Sequence, residues 1–547
     1  MGTNRSSRPH QDGGWPLIQA ARVVPNVPSF SVDNGFWYSI PDHLADNVGV
    51  GSIVRVPLSG RRVRGWVVEL ADRQEGRLKP IAGVSGAQPV FTLGLLKTLN
   101  WAATHYVAPV SVLLAKATPP NLPKKTKAAK KIVAADTVCN HPLGGVATSV
   151  ARGVRMPAQV LVGPWQKLDW VSCLTTLATT GRSVSIITAS AAEVNRIADA
   201  ARPHVGEAIV TVGGDDDASV TASWEQSQPP GRLIVGTPRI ATWQIADLAL
   251  TIVLEEGRRA MKDRQTPTLH VREIVRSRSL LEGVTSVFFG PTPSVELLAS
   301  GAQVTKVGTR AWPLVEVIDR SEEAPGKGLL ADSVIASLRG NRNRGGNSFV
   351  LTTHKMREPI EKEIIGRIGS QSGDAVQVGT ERDLAGLGSV ELTVAPNPDG
   401  MLLGRSYRGT EEALRLLARL ANAVSPGTGH RMMVQTTAPD SDLIQTLRRG
   451  DPVPFLEKVL LERARAGVPP STSMMAVEIR DKTPESVGES LAEMGSVSVL
   501  GPLDVEDGLR WLLDGDLRSA RRELRPLVAK WREGGATVRI DADPIDI

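Results

Sequence analysis

Apolar positions follow two rhythms along the chain, and the change between them marks its organisation. In the first hundred residues the runs are short and punctuated by turns. Phe36-Trp37-Tyr38-Ser39-Ile40-Pro41 alternates large apolar and smaller residues, and Val48 to Gly51 makes a turn. Ile53–Leu58 and Val63–Val68 predict two strands joined by a basic turn, Ser59-Gly60-Arg61-Arg62. Short β-branched runs with glycine turns predict a compact β-barrel within residues 16–115. Leu95, Leu96, Leu99, Ala102, Ala103 and Tyr106 then recur at helical spacing and predict a helix beneath the barrel.

From residue 156 the rhythm becomes strand–helix alternation. Apolar runs at Val160–Val162, Val184–Ile187, Ala208–Val212, Leu233–Val235, Leu250–Leu254 and Val284–Phe289, with a helix over Trp170–Thr179, predict a parallel doubly wound lobe over 156–312. A second such lobe is expected over 313–455, with strands at Ser348–Leu351, Ala375–Val378, Val390–Val394 and Met432–Gln435. Its amphipathic helix is predicted over Glu411–Val424, with Thr410 as N-cap. Residues 456–547 predict a small α+β domain: a helix over Phe455–Ala466, a strand over Met475–Ile479, a helix over Pro484–Met494 and a closing strand over Ala536–Asp541. The fold class expected is therefore α/β: a β-barrel, two parallel-sheet lobes and an α+β end.

A chain of 547 residues holds several domains, and 41% hydrophobic with 22% charged residues is ordinary for a globular protein. No uninterrupted apolar run suggests a membrane span. Met1 to Gly14 is polar, and residues 1–15 read as a disordered leader without a signal peptide's apolar stretch, which sets the expectation of a cytoplasmic, nucleoid-associated protein with no membrane partner. Two cysteines, Cys139 and Cys173, cannot build a four-cysteine zinc site, so no metal is expected and both are read as reduced thiols. The eight histidines show no His-x3-His spacing, and Gly213-Gly214-Asp215-Asp216-Asp217 lacks calcium-loop spacing.

Charge is uneven. Residues 1–131 hold 17 Lys/Arg against 7 Asp/Glu, a net +10 within a chain of net +6, so the remainder carries −4. A basic region interleaved with aromatic residues points to nucleic acid. After Pro119-Pro120-Asn121-Leu122-Pro123, the stretch from Lys124 to Lys131 puts Lys124, Lys125, Lys127, Lys130 and Lys131 together without an acid. This segment, within a linker over 116–155, reads equally as a solvated connector or as one that also follows a phosphate backbone. Arg518 to Arg525 gives a helix a dense basic face, read as solvated.

The chemistry expected of two such lobes is nucleotide hydrolysis, and its residues are altered. Gly236-Thr237, Leu254-Glu255-Glu256 and Gly290-Pro291-Thr292-Pro293-Ser294 follow apolar strands as in a helicase core. A phosphate loop needs small residues, then Lys and Ser/Thr. Here Gly163 is followed by Trp165, Gln166, Lys167, Asp169 and Trp170.

Several segments resemble the PriA replication-restart family (primosomal protein N′). Phe36-Trp37-Tyr38-Ser39-Ile40-Pro41 resembles its Phe-Asp-Tyr-Leu-x-Pro segment, and Gly51–Leu58 its Gly-x-x-Val-Arg-Val-Pro-Phe strand. Trp101–Pro109 is similar to its Trp-x-Ala-x-Tyr-Tyr-x-x-Pro helix end. Leu461–Pro470 and Val538–Pro544 look like its later Arg-x-x-x-x-Tyr-Pro-Pro and Asp-x-Asp-Pro elements. Active members have Gly-x-Thr-Gly-Ser-Gly-Lys-Thr where this chain has Gly163 to Trp170, and Asp-Glu-Glu-His where it has Leu254 to Gly257. The region Arg419 to Gly429 lacks the family's glycine-and-arginine pattern, the cysteine-rich zinc insertion is missing, and the winged-helix region is reduced to the linker. In these losses the chain resembles the actinobacterial branch of the family.

The resemblance implies RecA-like lobes and a barrel that captures the 3′ end of a nascent strand at a fork, with Phe36, Trp37 and Tyr38 in the pocket region. Trp37 stands where the family has an aspartate that can accept a hydrogen bond from a 3′-hydroxyl. Arg55, Arg61, Arg62, Arg64 and Lys79 are the candidates for phosphate contacts. The expected partners are branched or single-stranded DNA and, by family analogy, single-strand-binding protein and helicase-loading proteins. Loss of the magnesium ligand and the arginine pair leaves Gly163, Lys167, Asp169, Glu255 and Glu256 as a degenerate nucleotide site without catalytic residues, so ATP and magnesium are not expected as cofactors. The reading is a fork-binding restart protein without a motor. Two alternatives stand: a weakly active 3′-to-5′ helicase working through Lys167, Glu255 and Glu256, and a DNA-independent scaffold.

Overall fold

The computed structural model describes residues 17–74, 78–126, 139–214, 216–323, 327–369, 375–388, 390–402, 406–481, 486–506 and 508–546. Two long strands, Leu17–Pro25 and Arg61–Gln74, pair antiparallel at the centre of the N-terminal sheet, flanked by Phe36–Ser39 and Ile53–Leu58. Residues 79–85 join the two flanks. Lys79–Pro80 pairs with Phe36–Ser39 and Gly83–Ser85 with Ile53–Leu58. Between those pairs, the Ile81 N–H donates to Ser39 O at 3.0 Å and the Ala82 N–H to Arg55 O at 2.8 Å. The sheet therefore curls into the expected barrel around Ala21, Val23, Tyr38, Val54, Val56, Val67 and Ile81. Its hairpin turn is tighter than the sequence suggested. Ser59 (φ 46) and Gly60 (φ 79) are both left-handed, as a two-residue turn matching strand twist requires, so Arg61 and Arg62 already belong to the strand. Helix Leu93–His105, capped by Thr92, packs on helices Val110–Ala117 and Val271–Glu282, and its Leu95, Leu96 and Leu99 share one hydrophobic core with Ile53, Trp66 and Val68 of the barrel.

The first lobe is a parallel sheet in the order Gln303–Lys306, Gln159–Val162, Thr285–Gly290, Leu248–Leu254, Ser183–Ile187, Leu233–Gly236, Ile209–Val212. Its inner strands are covered on both faces, which is why they read as continuous apolar runs. The edge strand Gln303–Lys306 is mostly exposed and gave no such signal. Helix Pro142–Ala151 buries Leu143, Val146, Ala147 and Val150 in this lobe's core. Cys139 and Cys173, expected as separate reduced thiols, are joined in a disulfide, because the chain before that helix lies against the Asp169–Leu174 turn.

The second lobe is a parallel sheet in the order Val315–Asp319, Arg431–Thr436, Leu392–Ala395, Ser348–Leu351, Val376–Gly379. Its amphipathic helix runs Gly409–Asn422 and starts at Arg408 without a side-chain cap, so Thr410 lies inside it rather than at its N-cap. The C-terminal antiparallel sheet, ordered Val497–Val505, Gly508–Gly515, Met474–Asp481, Ala536–Asp541, packs on helix Leu517–Glu533. One hydrophobic core runs from the barrel's helix through both lobes to Ala542.

Candidate nucleic-acid interface and nucleotide cleft

In an open parallel sheet, ligands sit beyond the carboxyl ends of the strands. Three neighbouring strands of the first lobe deliver Gly163, Glu255 and Gly290 to that edge, held by Gly163 N–H to Gly290 O at 3.0 Å and Glu255 N–H to Phe289 O at 2.9 Å. Gly163 is obligatory there, since a Cβ would lie 2.7 Å from Val307 Cβ. The next residues fill the space rather than line it. Trp165, 2% exposed, donates its indole N–H to Glu255 Oε1 at 2.7 Å, and the Gln166 amide donates to the same oxygen at 3.2 Å. The space beyond these strand ends is thus taken up by an indole and a buried carboxylate. Leu168 is left-handed (φ 59), and the following chain is a 3-10 turn, Asp169–Leu174, before a five-residue helix, Thr175–Thr179. The helix expected over Trp170–Thr179 is thus cut short, and the chain after Gly163 does not run directly into a long helix. Lys167 and Asp169 are exposed at the surface.

From the opposite lobe, Arg419 brings its Nε to 3.1 Å from Glu255 Oε2 and its Nη1 to 2.6 Å from Glu381. Arg258, 3.8 Å from Glu255, also binds Glu193 at 2.6 Å. Burial would raise the Glu193 pKa, but Arg258 and the Thr188 hydroxyl outweigh it and hold the carboxyl below its usual value. Glu256, the other half of the carboxylate pair, accepts the Ser294 N–H at 2.8 Å and faces Arg272 at 3.3 Å. Arg272 continues to Glu296 at 3.6 Å, which also binds Arg408 of the second lobe at 2.6 Å and Arg463 of helix Val453–Ala466 at 3.2 Å. Arg463 reaches Glu411 at 3.1 Å. Burial, then repulsion from Glu296, raises the Glu411 pKa despite Arg415, Arg463 and Arg408.

Glu255 and Glu256 are therefore both engaged by cations, and the ionic chain crosses the lobe interface. The lobes of a nucleotide motor must open and close. Opening here would require several buried ion pairs to part together. Sequence reasoning missed this lock; the only trace of it was the i, i+4 spacing of Arg415 and Arg419. The remaining cleft between the lobes, about 500 Å³ and lined by Arg258, Arg259, Glu412 and Arg415 among others, has none of residues 163–169 in its wall. Among the described residues no group of three or more His, Cys, Asp or Glu could hold a metal ion.

On the barrel, the aromatic triplet divides by pleat. Tyr38 is 4% exposed and its hydroxyl donates to Pro57 O at 3.2 Å across the interior, where burial raises its pKa. Trp37 faces outward beneath the Arg73 guanidinium, 4.0 Å from the ring centroid, and Phe36 is 41% exposed. Arg55 lies directly opposite Arg64, with Arg62 opposite Pro57, on one face of the hairpin. Arg61 pairs with Leu58 and so points to the other face, and Lys79 pairs with Tyr38. All five cations are exposed. Two arginines directly opposite one another repel unless an anion lies between them.

Lys124 and Lys125 are exposed, with the Lys124 N–H donating to Glu225 at 2.7 Å; Lys127, Lys130 and Lys131 lie outside the described residues. The basic helix Leu517–Glu533, expected to be solvated, instead uses part of its charge to dock on the N-terminal domain. Arg521 donates to His105 O at 3.0 Å, and Arg525 pairs with Asp33. No helix of the described residues is long and apolar enough to cross a membrane.

Residues 22–119 match the family model of the PriA 3′DNA-binding domain. The chain is 24% identical over 597 aligned positions to the probable replication restart protein PriA of Mycobacterium leprae, covering 88% of this chain and 90% of that one. Replication restart protein PriA of Bacillus subtilis is 31% identical over 84 residues, 15% of this chain and 10% of that protein. Among solved structures, the Escherichia coli DEAH/RHA helicase HrpB matches with a TM-score of 0.33 at 13% identity, covering 55% of this chain and 43% of its own. The DUF1998 helicase MrfA bound to DNA matches with 0.36 at 12%, covering 68% and 56%.

Proposed function

We propose that this chain, a PriA-type protein, binds branched DNA at stalled replication forks through its barrel and promotes reloading of the replicative helicase without a motor of its own. The observation that carries the absence of a motor is the occupied cleft: Trp165 and Arg419 take both oxygens of Glu255, where nucleotide phosphates would need room. DNA binding rests on the matched 3′DNA-binding domain and on the cations it exposes, Arg55, Arg61, Arg62, Arg64 and Lys79, with Lys124 and Lys125 at the start of the linker. Lys127, Lys130 and Lys131 extend that charge in sequence. Electrostatic contacts of this kind release counterions from the phosphate backbone and make affinity salt-dependent.

In this reading the barrel spans 16–115 and the linker 116–155, both on the DNA side. The lobes at 156–312 and 313–455, with the domain at 456–547, form one rigid platform for single-strand-binding and helicase-loading proteins of the cytoplasm. The test is purified protein with fork DNA. Salt-dependent binding without DNA-stimulated ATP hydrolysis is expected. ATP turnover that disappears in Lys167→Ala or Glu255→Gln would establish a motor instead, and affinity unchanged by salt or by neutralising Arg61, Arg62 and Arg64 would leave only a protein scaffold.

A further inference from the structure

The DNA-binding reading leaves open which part of a strand the barrel recognises. The strand Phe36–Ser39 sits at the centre of that question, because its side chains divide sharply in what they can offer. Tyr38 is inside, its hydroxyl engaged with Pro57 O. Phe36 has no polar atom, and the Trp37 indole N–H can only donate. Neither exposed side chain of the triplet carries an acceptor for a terminal 3′-hydroxyl, and the Tyr38 hydroxyl is buried away from the surface.

Flat apolar surface and cations are what remain. The Arg73 guanidinium lies 4.0 Å over the Trp37 ring, reaching it from the far end of strand Arg61–Gln74. Arg73 is exposed and forms no ion pair among the described residues, so its N–H groups are not consumed by a carboxylate. Arg22, directly across from Trp37, is by contrast tied to Glu69 at 2.7 Å. A guanidinium over an indole covers that face of the ring and offers its own outer surface to a base and its N–H donors to phosphate. Unstacked bases lie on both kinds of plane, aromatic and guanidinium.

We infer that Trp37 and Arg73 form a stacking platform for an unpaired DNA base, which this barrel reads by its face whether or not the strand ends there. The inference rests on the DNA-binding reading above and specifies its ligand: an unpaired nucleotide at a fork junction, internal or terminal.

The experiment is fluorescence anisotropy on the full chain with three forks: one ending in a 3′-hydroxyl at the junction, one in a 3′-deoxy terminus, and one with the strand continued unpaired by five nucleotides. A 2-aminopurine at the unpaired position reports stacking. The three forks are expected to bind within about two-fold of one another, with 2-aminopurine quenched in each. Trp37→Ala should lose the quenching and weaken binding roughly ten-fold, the scale of one lost base–aromatic stack. Trp37→Phe keeps an aromatic face and should retain most of both signals, which separates stacking from a folding defect. Arg73→Gln should weaken binding with a smaller loss of quenching. About ten-fold preference for the 3′-hydroxyl over the 3′-deoxy fork, or Trp37→Ala binding and quenching as the unaltered chain does, overturns the platform. Absence of fork binding by the unaltered protein overturns the DNA-binding reading itself.

Discussion

Arg419 on the second lobe places its Nε 3.1 Å from Glu255 on the first, while Trp165 holds the other carboxylate oxygen at 2.7 Å. Three residues far apart in sequence thus meet in one buried joint between the lobes. Replacing Arg419 with Ala strands a carboxylate that is 3% exposed. The expected loss is about 3–5 kcal/mol, the range for removing one partner of a buried pair. Arg258 at 3.8 Å supplies some compensation, which favours the lower end. The double variant Arg419→Ala/Glu255→Gln should recover part of the loss, because the uncompensated charge is gone. Urea unfolding of the four members of the cycle checks this; fully additive losses would mean the pair is not coupled.

Trp165→Ala tests the same joint from the first lobe. The indole is one of the largest fully buried side chains, and truncating it should cost about 3–5 kcal/mol through the cavity left behind. Lys167→Ala, in the same loop but exposed, should change stability by no more than about 0.5 kcal/mol. Thermal unfolding of the two variants side by side is sufficient. A large effect at Lys167 would place that residue in the structure's working parts after all.

The contrast between these neighbours shows what could be read in advance. The lobes were legible because their inner strands are covered on both faces and therefore apolar throughout, as at Ser183–Ile187 and Leu233–Gly236. Edge and hairpin strands such as Gln303–Lys306 and Val497–Val505 are largely exposed and carry no comparable pattern. In the cleft, the loss of a phosphate loop was visible in Trp165, but its replacement was not. Glu255 finds Arg419 164 residues later in the chain, and no local pattern records so distant a pairing. The same holds for Arg73 over Trp37, which depends on how far one strand runs past another.

Acid should weaken the joint between the C-terminal segment and the N-terminal helix. Asp543 lies 3.2 Å from His105 Nε2 and beside Lys262. Removal from bulk water would raise its pKa, but His105, Lys262 and Arg272 hold it far below the usual carboxylate range. A carboxyl lowered on folding contributes stability that is complete above its unfolded value, near 3.8, and is lost as pH falls below it toward the lowered value. Asp543→Asn should therefore be less stable than the unaltered chain at pH 6 and lose less on acidification to pH 3 (about 6 and about 3 being the limits of the titration). Glu411 has the opposite sign. Its raised pKa means its contribution is present below 4.5 and lost as pH rises through the raised value, so Glu411→Gln should gain on the unaltered chain toward neutral pH. Chemical unfolding across that range checks both slopes, and parallel curves for all three proteins would rule out the assignment.

The opposed arginines of the barrel hairpin set function against stability. Arg55 and Arg64 face one another across two strands, an arrangement that costs a few tenths of a kcal/mol or more when no anion intervenes. Arg64→Gln should accordingly raise the stability of the free protein by about 0.2–1 kcal/mol. The same substitution should weaken fork binding and reduce the slope of log affinity against log salt by about 0.9 if one duplex phosphate contact is lost. Adding Arg62→Gln, on the same face, should lower the slope by a similar further step, whereas Arg61→Gln, on the opposite face, separates a contact by the hairpin surface from one by its tip. Anisotropy titrations at several salt concentrations, paired with unfolding curves, give both quantities. A variant that lost DNA affinity and stability together would show that Arg64 supports the fold, and that the phosphate contact lies elsewhere.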